Sequence, residues 1–279
     1  LIDLYHKGIL LCLCSKNTSQ VINKVLENDE VLLTTDHIVT SRFECHNKVC
    51  SMIDISKELN LSLDDFVFLD DSDFEIGYVA SCLPIITSIK VDYNNMEFIS
   101  KIYNLFDSHD SIFELNRTQM YKEQKEREKI RQEFTDIEDY NHFINTEIMC
   151  KVATRNEISR LVELSQRTHQ FNLSNVHYTV EQLESRFDNS KYKILYLTAS
   201  DKFGDMGIIG MAVLNKNIIE GFMISCRVLG RNFEYVLLQE IKRISDGDLL
   251  CGIYNLTDMN KKYAKFYEQN QVPLWRTKN

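Results

Sequence analysis

The sequence predicts an α/β fold on a parallel sheet in its first part and an α+β fold in its second. Two short apolar runs, Ile9–Cys14 and Phe66–Leu69, end abruptly in polar residues, Ser15-Lys16-Asn17 and Asp70-Asp71-Ser72. Such runs, bounded by turn chemistry, read as buried strands. Segments with helical spacing lie between them. After residue 192, three strand-like runs follow one another with no helix between, which suits an antiparallel meander. The stretch Arg117–Asn145 contains no glycine or proline and is dense in charge, so it is expected to be a helical joint. The expected division is 1–115, a connector at 116–145, and 146–279.

Composition narrows the function classes. With 279 residues, two domains are the natural expectation. Hydrophobic content of 44% and charged content of 26% are ordinary for a soluble protein. A net charge of −9 argues against a nucleic-acid binder, which needs a basic face. No apolar run reaches the ~18 residues that span a bilayer, and no signal peptide is visible. The 8 cysteines (Cys12, Cys14, Cys45, Cys50, Cys82, Cys150, Cys226, Cys251) form no paired CxxC knuckles. They read as reduced thiols in a cytoplasmic protein.

In chain order, Leu1–His6 reads as a helix tail and Ile9–Cys14 as the first strand. Asn17–Glu27 carries Val21, Val25 and Leu26 at helical spacing, with Asn17, Thr18 or Ser19 as its cap. Val31-Leu32-Leu33 reads as a short strand. A helix beginning near Asn47 shows Val49, Met52, Ile53 and Leu59 on one face. Phe66–Leu69 is the next strand, Phe74–Cys82 a helix, and Pro84–Thr87 a short strand. Asn94–Asp107 is an amphipathic helix with Phe98, Ile102 and Phe106 on one side.

Two parallel strands ending at Ser15 and at Asp70-Asp71 would place a hydroxyl and two carboxylates at one sheet edge, where α/β proteins bind ligands. Carboxylate oxygens suit Mg²⁺, usually one or two of them beside substrate phosphate. Lys48 falls on the first turn of a helix, where the dipole favours an acid. A lysine placed there against that preference suits a phosphate-meeting role. Each residue also has a plain explanation. Ser15 could simply end a strand, Lys48 could be a solvated charge, and Asp70-Asp71 could cap the next helix. Cys14 could hold an acyl group as a thioester. Strand alternation turns it away from Ser15, however, so a buried core role stands beside that one.

In the connector, Ile130, Phe134 and Ile137 mark an apolar seam. Glu123 with Arg127 and Lys129 with Glu133 form i,i+4 pairs on a solvated face. Beyond it, Ile148–Ala153 reads as a strand and Glu157–Ser165 as a helix. The strands Lys193–Thr198, Ile208–Leu214 and Ile218–Ile224 follow. Then come a helix at Asn232–Ile244, a strand at Leu250–Tyr254, a helix at Met259–Gln269 and a short end strand. The loop Arg227-Val228-Leu229-Gly230-Arg231-Asn232 joins strand to helix. Thr168, Gln170, Phe171 and Asn172 make a polar–aromatic cluster that lines a cleft or ties down a loop.

Ser15, Lys48 and Asp70-Asp71, in this order, resemble the second, third and fourth motifs of the haloacid dehalogenase superfamily. The strings CSKN and HNKVCSMIDISKELNLSLDDFVFLDD look like its FkbH-like branch. So do RTHQFNLSN, FGDMG, SCRVLGR and the Phe266-Tyr267 pair in the second half. The order of elements there resembles the GNAT acyltransferase fold, and Arg227–Asn232 half-matches its R/Q-x-x-G-x-G/A loop. The resemblance implies a haloacid-dehalogenase-like parallel sheet lacking its first strand, followed by a GNAT-like domain. It implies catalytic Ser15 and Lys48, a thioester cysteine such as Cys14, and Mg²⁺ at Asp70 and Asp71. Arg227, Gly230, Arg231 and Asn232 would meet the phosphate of a carrier arm or coenzyme A. The implied activity takes a glyceryl group from 1,3-bisphosphoglycerate, a phosphorylated three-carbon acid, and loads it on an acyl carrier protein in polyketide-type biosynthesis. The family's DxDxT nucleophile motif does not occur, so the chain is expected to be a fragment or to have lost that chemistry. A non-catalytic carrier or coenzyme A module and an N-acetyltransferase are the alternatives.

Overall fold

The computed structural model describes residues 1–45, 47–106, 117–245 and 249–275. The expected boundary at 115/116 and the end of the Asn94–Asp107 helix lie outside them. The chain divides into two compact units, Leu1–Lys125 and Glu126–Asn279.

The first unit is α/β. Helix α1 (Ile2–His6) leads into strand β1 (Leu11–Cys14), and α2 (Ser19–Leu26) follows under a Thr18 cap whose hydroxyl accepts from Val21 N. Strand β2 (Ile38–Arg42) pairs with β1 in parallel, Cys14 opposite Arg42. Val31–Leu33 is not a strand, and Leu32 is 81% exposed. The β-branched run Ile38-Val39-Thr40 takes the place beside β1, because branched side chains suit a pleated, half-buried surface. Helix α3 (Lys48–Leu59) is capped by Asn47, whose side chain accepts from Cys50 N, and it stops at a left-handed Asn60.

Strand β3 (Val67–Asp70), helix α4 (Asp73–Cys82) and strand β4 (Thr87–Lys90) repeat the pattern, with β3 and β4 parallel. The expected strand at Pro84–Thr87 begins only at its last residue, since proline offers no N–H to a ladder. Helix α5 (Glu97–Phe106) lays Phe98, Ile102 and Phe106 against Leu4, Val67, Leu69 and Ile89.

The division between units falls within helix α6 (Arg117–Arg131). The expected continuous helix to Asn145 is broken. Asp136 caps a separate helix α7 (Ile137–Phe143), its carboxylate accepting from Glu138 N and Asp139 N at 2.7 and 3.0 Å. Nor is the face of α6 wholly solvated. Arg127 is buried and grips Asp201 through two nitrogens, while Lys129 pairs with Glu126 at 2.5 Å.

The second unit is α+β. After β5 (Glu147–Val152) come α8 (Ile158–Arg167), the two-residue strand β6 (Phe171–Asn172) and α9 (Val180–Phe187). Strands β7 (Tyr192–Asp201), β8 (Gly204–Asn215) and β9 (Ile218–Ile224) form the antiparallel meander. Helix α10 (Phe233–Ile244), strand β10 (Cys251–Gly252) and helix α11 (Phe266–Gln269) complete it. The sheet runs β10-β9-β8-β7-β5, with β10 parallel to β9 and β6 also pairing with β9. Apolar clusters cover both faces, one built on Phe222, Phe233 and Leu237, the other on Leu161, Tyr178 and Met211. Among the described residues no helix is long and apolar enough to cross a membrane.

Candidate functional site

The carboxyl ends of β1 and β3 lie within reach of one lysine. Lys48, on the first turn of α3, is buried, and its Nζ donates to the carbonyl oxygen of Cys14. The same nitrogen is 3.5 Å from Asp70 Oδ2, the two side chains being 8% and 13% exposed. Asp70 is fixed from its other side, where Oδ1 accepts from Ser72 N at 2.9 Å. Lys48 is therefore not a solvated charge. A desolvated ammonium is held by an acid and a carbonyl, as burial of charge requires.

Ser15 continues the ladder past β1. Its N–H donates to Arg42 O at 2.9 Å and its carbonyl accepts from Cys45 N at 3.1 Å. Its hydroxyl accepts from Asn17 N at 3.2 Å, a turn-closing bond that leaves the proton free to donate elsewhere. Ser72, not Asp70 or Asp71, caps α4, its hydroxyl accepting from Glu75 N at 3.4 Å. That frees Asp71, which is exposed at the same strand end. Among the described residues no three His, Cys, Asp or Glu side chains cluster as a metal site. Asp70, held by Lys48 and Ser72 N, and the exposed Asp71 are the two carboxylates at this strand end.

Cys14 faces the apolar side, packing with Cys12 against the Val39, Ile55 and Leu59 cluster. Burial pushes its thiol up, Lys48 pulls it down, and Cys45 adds to the rise. A raised thiol has less thiolate and is a poorer nucleophile, so the core role fits Cys14 better than the thioester role.

In the second unit the expected strand–turn–helix is present. A 3₁₀ turn at Cys226–Val228 follows β9, Gly230 has φ +80°, and Asn232 starts α10 at φ 64°. Both angles fall in the left-handed region, which glycine enters freely and asparagine tolerates. Arg227 is half-buried and donates to Met206 O at 3.3 Å.

Arg231 corrects the expectation of a phosphate contact. It is buried, and its guanidinium reaches Thr146 Oγ1 at 2.6 Å, Asn141 Oδ1 at 3.1 Å and Asp201 Oδ2 at 3.4 Å. Together with Arg127 it neutralises a fully buried carboxylate. Its donors are committed inward.

Thr168 and Asn172 are buried as well. The Thr168 hydroxyl donates to Leu164 O at 2.7 Å. Asn172 Nδ2 donates to Val176 O at 2.9 Å, and its carbonyl accepts from Asn260 Nδ2 at 2.9 Å. These residues tie down the loop that supplies β6. Gln170 is half-buried at its start. Asn260 is absent from the expected set, because its bond to Asn172 O spans 88 positions while its other bonds stay within its own loop.

The pairing of Lys16 is not legible in the sequence. Its Nζ lies 2.5 Å from Oε1 of the buried Glu75. The only local signal was adjacency, since Lys16 follows Ser15 and Glu75 lies one turn beyond the Asp70-Asp71 pair.

No protein-family model matches the chain, and no curated protein matches it. Among solved structures, it is similar to the N-terminal part of protein BF1531 from Bacteroides fragilis, which contains a phosphatase domain and was complexed with Mg. Identity is 28% and the TM-score 0.35, over 37% of this chain and 28% of that one. An acetyltransferase from Trypanosoma brucei matches at 15% identity and TM-score 0.33, over 48% of this chain and 97% of that one. An aminoglycoside N-acetyltransferase, AAC(6')-Iy in complex with CoA, matches at 10% identity and TM-score 0.35, over 48% and 93%.

Proposed function

We propose that the first unit binds a phosphorylated three-carbon acid, and that the protein passes its glyceryl group to an acyl carrier protein in the manner of FkbH-like proteins. The observation that supports this most is the placement of Lys48 between the end of β1 and Asp70, at the rim that also presents Ser15. Ser15 donates its hydroxyl proton to a phosphoryl oxygen, and Lys48 supplies the opposing charge. Asp70 and Asp71 would hold Mg²⁺, which when bound neutralises phosphate charge.

In 1,3-bisphosphoglycerate the acyl group is already activated as an acyl phosphate. The carrier thiol attacks the acyl carbon, the carbon–oxygen bond to phosphate breaks, and phosphate leaves with the thiol's proton. Ser15 and Lys48 stabilise the departing phosphate. This route needs no DxDxT aspartate. Incubating the chain with acyl phosphate and carrier protein tests it by mass spectrometry. A glyceryl mass shift on the carrier, lost in Lys48→Met, is expected. An unmodified carrier with wild-type protein sinks the proposal.

A second reading, a module that binds the phosphopantetheine arm of a carrier or coenzyme A, is favoured by the turn at Gly230. The N-terminus of α10 follows it, and backbone N–H groups at a helix start receive phosphate well. In this reading Arg227, which bonds to Ser225 and Met206 O, would assist the backbone, while Arg231 is engaged with Asp201, Asn141 and Thr146. Coenzyme A binding that survives Lys48→Met would separate this reading from the first.

A further inference from the structure

The ammonium of Lys48 sits deep, between Cys14 O and Asp70. The rim carries a second cation at a different depth. Lys16 follows Ser15 directly, and its side chain is 53% exposed, yet it is not loose. Glu75 Oε1 holds it at 2.5 Å, and the Glu75 side chain is only 6% exposed.

Exposed ion pairs usually contribute little because both long side chains must be ordered. Here one partner is fixed. Glu75 lies in the first turn of α4, where the helix dipole favours an acid. A buried carboxylate needs a counter-charge, and Lys16 supplies it. Hydrogen bonding to Glu75 raises the Lys16 ammonium, and Asp70 adds to the rise, so the cation also feels the candidate site. An ammonium has three donors, and at 53% exposure some of them face solvent.

We propose that Lys16, positioned by Glu75, is a specificity-determining cation that selects phosphorylated substrates bearing a second anionic group. The phosphoryl group takes the deep place at Ser15 and Lys48, and the second anion, a carboxylate or another phosphate, meets Lys16 at the rim. This rests on the phosphate-binding reading of Ser15, Lys48 and Asp70.

The test is calorimetric, with Mg²⁺ present, using inorganic phosphate, glycerol 3-phosphate and 3-phosphoglycerate as probes. The two esters share a phosphoryl group, and only the second carries a carboxylate. Wild-type protein is expected to bind 3-phosphoglycerate about tenfold tighter than glycerol 3-phosphate, the size of one charge-assisted contact. Lys16→Met with Glu75→Gln, which leaves no orphaned buried carboxylate, should abolish that preference while glycerol 3-phosphate affinity stays within about twofold. Lys16→Arg should keep the preference. Equal discrimination in wild type and the double variant overturns the inference, as does an equal loss for both esters. If wild type binds none of the three probes, the phosphate reading itself falls and takes the inference with it.

Discussion

Lys48 Nζ and Asp70 Oδ2 face each other at 3.5 Å across the ends of two strands that belong to separate parallel pairs. The contact joins residues from α3 and β3 at the rim, and the same nitrogen closes on the backbone of β1. Removing either side chain leaves the other short of a partner in a half-dry place. Lys48→Met should therefore destabilise the protein by about 1–3 kcal/mol, the penalty of an unsatisfied buried group. Denaturant unfolding would check it. A midpoint unchanged from wild type would show that the pair is not made.

Glu58 predicts an acid-limb effect. Burial works to raise its carboxyl, but hydrogen bonds from Lys125, Arg42 and Thr40 prevail and hold it near 2, below its ordinary 4.5. A depressed folded-state value contributes stability that is present above pH 4.5 and is lost as pH falls toward 2. In Glu58→Gln the melting temperature should depend less on pH within that window than in wild type. Parallel profiles for the two proteins would contradict the assignment.

Asp201 is the buried carboxylate shared by Arg127 and Arg231. Asp201→Asn leaves two guanidinium groups underpaired in the interior. The expected cost is about 3–5 kcal/mol, typical of breaking a buried ion pair from one side. Near-wild-type stability in urea would show that these arginines find other acceptors.

Thiol accessibility separates the cysteines. Cys50 and Cys82 are exposed, whereas burial pushes Cys12 up to about 12 and Cys14 upward too. Iodoacetamide at neutral pH should label Cys50 and Cys82 first and Cys12 and Cys14 last, followed by peptide mass spectrometry. Early labelling of Cys14 would restore it as a thioester candidate.

The parts legible in the sequence were those with local signals. The switch from apolar to polar at Ser15 and at Asp70 marks strand ends because burial changes within one or two residues. Asn47 and Thr18 announce helix starts through side-chain caps, whereas α4 is capped by Ser72 and not by the aspartates before it. Strand β2 was not legible, since Ile38–Arg42 is half polar and its pairing with β1 is non-local. The burial of Arg127 and Arg231 was hidden for a related reason. A charged residue reads as solvated until a distant Asp201 folds against it. Asn172 meets Asn260 across 88 positions, a pairing that no window of periodicity contains.

Ser15, Lys48 and the carboxylates at Asp70 and Asp71 are proposed to surround one phosphate. Titrating inorganic phosphate into the protein with Mg²⁺, followed by ³¹P NMR, tests this arrangement most directly. Saturable binding that weakens about tenfold or more in Lys48→Met, on the order of 1.4 kcal/mol, is the predicted result. Equal binding by wild type and the variant, or no saturable binding by wild type, would contradict it.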